Sequence, residues 1–135
     1  MKTYLLDTDI CIFLLKNKFD IEDKILSVGI ENCFISELTI AELICGAYKS
    51  NHFTKHINEA IRLEELFETL PIRKYFNRFG EEKARLTTLG TTIADFDLLI
   101  GVTSVEQGMV MVTNNEKHYK RIKDIRIENW TKVSA

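Results

Sequence analysis

The apolar positions of this chain change period several times along its length, and each change marks a predicted element. Tyr4-Leu5-Leu6 is a short continuous apolar run that stops at Asp7, and Ile10, Phe13 and Leu14 follow at helical spacing, so a strand feeds a helix. A second helical stretch covers about residues 20–28. Gly29 and Asn32 mark a turn, Cys33-Phe34-Ile35 reads as a short strand, and Ser36 and Thr39 are alternative N-caps of a helix running to about Tyr48. Phe53, Ile57, Ala60, Ile61, Leu63, Leu66 and Phe67 recur at helical intervals, more apolar positions than one helix face needs, and Leu70-Pro71-Ile72 closes that segment in extended form. A helix is predicted over residues 73–88, with Phe76, Phe79 and Leu86 turned inward despite Gly80 in its middle, and Gly90 ends it. Another runs from about Phe96 to Gln107 and stops at Gly108, ahead of Met109-Val110-Met111-Val112, an apolar run of buried-strand type. Ile125-Arg126-Ile127 alternates like an edge strand, and Trp130 closes the chain.

Strands separated by helices require crossover connections, which predicts an α/β fold with a mostly parallel central sheet of four to five strands and helices on both faces. In such folds sites form outside the carboxyl ends of the strands. Asp7 and Thr113-Asn114-Asn115 both fall there.

With 135 residues, 45% of them hydrophobic, 28% charged and a single proline, the chain is read as one domain, residues 1–135, with a real core. A net charge of −2 does not mark the whole chain as a polyanion binder, but Lys117, His118, Lys120, Arg121, Lys123 and Arg126 form a basic stretch after the last apolar run. Cys11, Cys33 and Cys45 are odd in number, lie in apolar surroundings and have no metal-ligand spacing, so they read as buried thiols of a reducing compartment and argue against zinc. Asp7 and Asp9 interrupt the N-terminal apolar region before it reaches signal-peptide length, and no segment approaches membrane-spanning length. A cytoplasmic location is expected.

Asp is a poor strand residue and an unpaired buried carboxylate is costly, so acids set where apolar runs stop call for a purpose, most often a bound cation. Asp7 stands at a strand end. Asp9 directly precedes a helical pattern and suits an N-cap or a supporting acceptor. Thr39-x-x-Glu42 is a capping box by spacing alone, which would spend Glu42 on its own helix terminus. Asp95 and Asp97 diverge by about 200° on a helix, so only one of them faces a given site. Asp95 suits the N-cap and Asp97 the first turn, where exposed N–H groups favour an anion.

Leu5-Leu6-Asp7-Thr8-Asp9-Ile10, Thr39-Ile40-Ala41-Glu42-Leu43, Asp95-Phe96-Asp97-Leu98-Leu99-Ile100-Gly101, Val112-Thr113-Asn114-Asn115 and Glu128-Asn129-Trp130, in this order and spacing, resemble the PIN-domain nucleases of the VapC toxin type. The resemblance implies a three-layer α/β/α PIN domain in which Asp7, Glu42 and Asp97 hold Mg²⁺ or Mn²⁺ and hydrolyse single-stranded or loop RNA, leaving 5′-phosphate and 3′-hydroxyl ends. Beside these motifs the ligand reading of Glu42 is preferred to the cap. Hard divalent cations take oxygen ligands, keep several waters and favour one or two carboxylates plus substrate phosphate oxygens, so three carboxylates suffice. Asp9, Asp95, Thr113, Asn115 and His118 are supporting candidates; many relatives carry a further acid at the place of Asn115 or of His118, and this chain has none at either. The resemblance further implies a homodimer, a VapB-like antitoxin whose C-terminal segment enters the acidic groove, contact with operator DNA only through that antitoxin, and transfer RNA as one substrate class.

Lys83, Arg85, Lys117, Lys120 and Arg121 are candidates for gripping RNA backbone, since Lys and Arg supply most non-specific affinity for phosphates. His52 and His56 read as surface residues. A haloacid-dehalogenase-like phosphatase would use a similar Asp-x-Asp and Thr-Asn pair, but its later lysine and acidic motif have no room in the 20 residues after Asn115. The alternative from another class is a catalytically silent PIN-like module that binds nucleic acid or protein; loss of an essential acid would favour it, and Asp7, Glu42 and Asp97 are all present.

Overall fold

Every strand pairs only with parallel neighbours, because a helix intervenes before the chain returns to the sheet. The structure, a computed structural model, describes residues 1–132. Its order is β1 (Tyr4–Leu6), α1 (Thr8–Leu15), α2 (Ile21–Val28), a 3₁₀ turn (Ile30–Asn32), β2 (Cys33–Ser36), α3 (Glu37–Lys49), α4 (Phe53–Leu66), β3 (Glu68–Leu70), a 3₁₀ turn (Arg73–Tyr75), α5 (Phe76–Thr88), α6 (Asp95–Gln107), β4 (Val110–Val112), α7 (Glu116–Tyr119) and β5 (Ile127–Glu128). The sheet runs β3-β2-β1-β4-β5, with Leu5 opposite Phe34 and Met111. The fold is the three-layer α/β/α arrangement expected, and the first strand lies at its centre.

Alternation along the strands divides the core in two. Tyr4, Leu6, Ile35, Val110 and Val112 pack on one face with Ile10, Ile25 and Leu63 of α1, α2 and α4 and with Trp130. Leu5 and Met111 point to the other face, where Leu86 of α5 and Leu98, Ile100 and Val102 of α6 cover them. Burial on both faces explains why these strands read as unbroken apolar runs. Helix α3 serves both layers, giving Ile40 to the first and Leu38 to the second.

Gly108, at φ 65°, ends α6 as the sequence predicts. Gly101 matters for its lack of a side chain. A Cβ there would collide with Ile122 Cδ1 and meet Tyr119 at 3.2 Å, so α6 packs closely against α7 and the segment after it. Among the described residues no helix is long and apolar enough to cross a membrane.

Several local expectations are corrected. Ser36, not Thr39, caps α3, because β2 runs to Ser36 and its hydroxyl accepts from the Leu38 N–H at 3.1 Å. Residues 73–75 form a separate 3₁₀ turn ahead of α5, which turns Tyr75 inward and leaves Phe76 exposed. Cys45 is exposed on α3, whereas Cys11 and Cys33 are buried. The extended piece after α4 is Glu68–Leu70, before Pro71, and the last strand is Ile127–Glu128 at the sheet edge. The basic stretch contains the short helix α7, which the sequence pattern did not predict.

Candidate active site

Asp7 leaves the central strand at its carboxyl end, and its N–H still bonds Val112 O at 2.9 Å, so the sheet ladder fixes its position. Its Oδ1 accepts from the Thr8 N–H at 2.9 Å and the Tyr119 hydroxyl at 3.1 Å, and its Oδ2 from the Thr113 hydroxyl at 2.8 Å. Thr113 is buried just beyond β4, where its hydroxyl also accepts the Asn115 N–H at 3.0 Å. Asp7 occupies the N-cap position of α1, which corrects the assignment of that cap to Asp9. Burial pushes the Asp7 carboxyl up to about 7; the Asp9 charge adds to the rise, and the three donors offset part of it.

Asp9 lies in the first turn of α1 and accepts from the Ile10 N–H at 2.7 Å and the Asn114 N–H at 3.0 Å, tying α1 to the loop after β4. Its carboxyl is also raised, again mainly by burial. Glu42 lies beyond the first turn of α3, so the capping box does not form. Its Oε1 instead accepts the Thr8 hydroxyl at 2.7 Å, and Thr8 Oγ1 lies 3.0 Å from Thr39 Oγ1. Burial raises Glu42, and the Asp97 charge adds to the rise.

Asp97, in the first turn of α6, places Oδ2 3.1 Å from His118 Nε2. Its charge is felt at Asp9, Glu42 and Tyr119, so all four acids face one space with no arginine or lysine paired to them among the described residues. Asp95 lies apart, exposed in an ion pair with Lys83 at 2.7 Å, and makes no capping bond; α6 has no side-chain cap at all. The structure thus joins Asp7, Asp9, Glu42, Asp97, Thr113 and His118 and leaves Asp95 outside.

Three contributors went unrecognised in the sequence. Thr8 and Thr39 bridge α1 to α3, and Tyr119, fully buried, closes over Asp7 with its phenol pushed up by burial and by the Asp7 charge. An uncharged, bulky residue inside a basic run is the one signal that pointed to Tyr119. Of the basic candidates, Arg85 grips Glu82 and Arg121 O, Arg121 reaches Thr92 O at 3.0 Å, and Lys83 holds Asp95. Lys117 and Lys120 are exposed and in no ion pair among the described residues.

The donor set fits a hard divalent cation: oxygen-only acids without a lysine or arginine partner among the described residues, with Asp7 raised by burial and by the Asp9 charge. Among the described residues no three of these groups converge as a ready-made cage. Mg²⁺ needs none, since it binds through one or two carboxylates and keeps its waters.

A sequence model of the PIN domain matches residues 4–125. The chain belongs to the PIN-domain family. Within it the similarity is to the VapC type: the chain is 34% identical to the tRNA(fMet)-specific endonuclease VapC of Salmonella typhimurium, covering 96% of this chain and 99% of that one. It is 32% identical to ribonuclease VapC2 of Haemophilus influenzae, at 96% and 99% coverage. Among solved structures, DNA-bound VapBC from Salmonella typhimurium superposes with a TM-score of 0.88 at 32% identity, covering 96% of this chain and 99% of that one. VapBC2 from Rickettsia felis, bound to a DNA fragment from its promoter, gives 0.85 at 28%, over 95% and 98%.

Proposed function

We propose that this VapC-type PIN domain is the metal-dependent endoribonuclease toxin of a toxin–antitoxin pair and cleaves single-stranded or loop RNA. The observation that carries the reading is Asp7: a buried carboxylate at the sheet's carboxyl edge, beside the Asp9 charge and, among the described residues, with no lysine or arginine paired to it. A silent binding module has no need of acids held against their own repulsion.

Asp7, Glu42 and Asp97 would hold Mg²⁺ or Mn²⁺, which when bound acidifies the attacking water and offsets charge on the phosphate and the departing 3′ oxygen. Thr113 and Tyr119 fix the rotamer of Asp7, Thr8 fixes that of Glu42, and His118 steadies Asp97. Asp9 locks the Asn114 loop beside them. The relative named tRNA(fMet)-specific supports a transfer-RNA loop as substrate, a physically apt target because unstacked bases can be splayed and read.

The DNA-bound VapBC complexes support a VapB-like antitoxin as partner; contact with operator DNA only through that antitoxin, and a homodimer as the working unit, are parts of the same proposal that rest on the family resemblance. A cleft of about 520 Å³ between α1, α2 and α4, lined by Leu14, Ile25, Leu26 and Leu66, gives an apolar antitoxin segment a place to bury its side chains. The purified chain, freed of any partner, is incubated with RNA in Mg²⁺, Mn²⁺ or excess chelator. Cleavage with either metal and none in chelator is expected; equal cleavage in chelator would sink metal dependence.

A further inference from the structure

A second cleft, of about 570 Å³, opens between α1, α3 and α4, and Thr8 and Glu42 form one end of it. It therefore continues from the acid cluster along the surface, at a volume within the range of small-ligand sites, about 300–1,000 Å³. Its floor is aliphatic, built from Ile12, Leu15, Leu43 and Ala47. Lys16, Lys18 and Lys55 stand at its rim, all exposed and in no ion pair among the described residues. Glu59, an acid in the same cleft, is engaged by His56 at 2.6 Å.

Gly46 sits inside α3 and faces this cleft, where a Cβ would meet nothing within 4 Å. Glycine weakens a helix interior relative to alanine, and neither backbone conformation nor packing asks for it at this position. A side chain there would project into the cleft.

We propose that this cleft seats a nucleotide flanking the scissile phosphate, with its base on the aliphatic floor over Gly46 and its phosphates against Lys16, Lys18 and Lys55. A nucleotide is the occupant whose chemistry matches all three features: a flat apolar face, a polyanionic edge, and covalent continuity with a phosphate held at the acids. The subsite rests on the endoribonuclease reading above and moves the main RNA grip from the basic stretch of α7 to the far side of Glu42.

The test is binding of fluorescein-labelled oligouridylate by anisotropy with Ca²⁺ in place of Mg²⁺, over a salt series, beside cleavage of the same RNA in Mn²⁺. K16Q/K18Q/K55Q should weaken binding about tenfold or more and flatten the slope of log K against log salt by about 2, at about 0.7 per phosphate contact. Gly46→Leu should keep or raise Tm, since the added side chain meets open space, yet raise KM by filling the base seat. Unchanged binding in the triple variant, or weakening confined to K117Q/K120Q, would overturn the subsite while leaving the nuclease reading intact. Gly46→Leu binding RNA as the parent does would overturn the base seat. A parent protein that neither binds nor cleaves RNA would remove the nuclease reading itself, and the subsite with it.

Discussion

Asp7 and Glu82 are buried to nearly the same extent, 6% and 5% exposed, yet their carboxyls are driven in opposite directions. Glu82 accepts from Arg85 Nε at 2.7 Å and from the Lys123 N–H at 2.7 Å, and the guanidinium holds it below the usual carboxylate range. Asp7 has three neutral donors and an acid for a neighbour, and is raised to about 7. Burial is common to both; the counter-charge decides. The Glu82 pair clamps α5 to the segment after α7, whereas Asp7 is left with a charge that the fold does not neutralise. One acid serves stability and the other is held at its expense, the pattern expected where a site waits for a ligand.

The largest test of that contrast exchanges each acid for its amide. Asp7→Asn should lose at least about 10²-fold in cleavage rate, the scale of one essential electrostatic group, and should raise Tm of the metal-free protein above pH 7, measured by calorimetry with chelator present. Glu82→Gln should do the reverse, lowering Tm by removing the charge from Arg85 at about 1–3 kcal/mol while leaving the acid cluster assembled. If Asp7→Asn destabilises the metal-free protein, the electrostatic reading of that residue is wrong.

The same contrast predicts opposite pH dependences. An acid raised in the folded state opposes folding when ionised, so the Asp7 contribution is unfavourable above about pH 7 and is relieved as pH falls toward its ordinary 3.8. Glu82, lowered from 4.5, contributes stability above that value and loses it as pH falls through its lower folded value. Subtracting the Tm–pH curve of each amide variant from the parent's should yield two curves of opposite slope, the Asp7 curve falling as pH rises from 3.8 to about 7 and the Glu82 curve rising as pH approaches 4.5 from below; slopes of one sign would end the comparison.

Smaller effects separate residues within the cluster. Glu42→Gln keeps an oxygen that can accept the Thr8 hydroxyl, so stability should stay within about 0.5 kcal/mol while Mn²⁺-dependent cleavage collapses. Asp97→Asn should likewise silence cleavage with the fold intact. Asp95→Ala removes only an exposed pair with Lys83, a loss of about 0–1 kcal/mol, and should spare most activity. An inactive Asp95→Ala beside an active Asp97→Asn would mean that the wrong face of α6 carries the chemistry.

Element order was legible because each change of period falls on a local signal: Asp7 after Leu6, Gly29 before β2, Gly90 and Gly108 after helices. The α/β rule alone placed Asp7 and Thr113-Asn114-Asn115 outside the strand ends, whereas Glu42 and Asp97 were set beside Asp7 by the family resemblance. The hydrogen bonds that position the acids were not legible, since they join residues far apart in sequence, as Tyr119 and Thr113 do at Asp7. Local rules also competed with one another. Ser36 and Thr39 are both good caps, and only the length of β2 decides between them. Arg85 read as free for RNA because its partners, Glu82 and Arg121 O, are fixed by packing of α5 against a loop with no periodic signal.

The bare Cα of Gly101 has a reach beyond its own helix. It sets the clearance between α6, which carries Asp97, and the stretch holding His118, Tyr119 and Ile122. A single methyl there would press on the Ile122 and Tyr119 side chains, and Tyr119 is the residue that holds Asp7. The hold on Asp7 is thus gauged by an atom the chain omits, and any lineage of this sequence that fills the gap must re-cut the opposing surface at Ile122 to keep its edge.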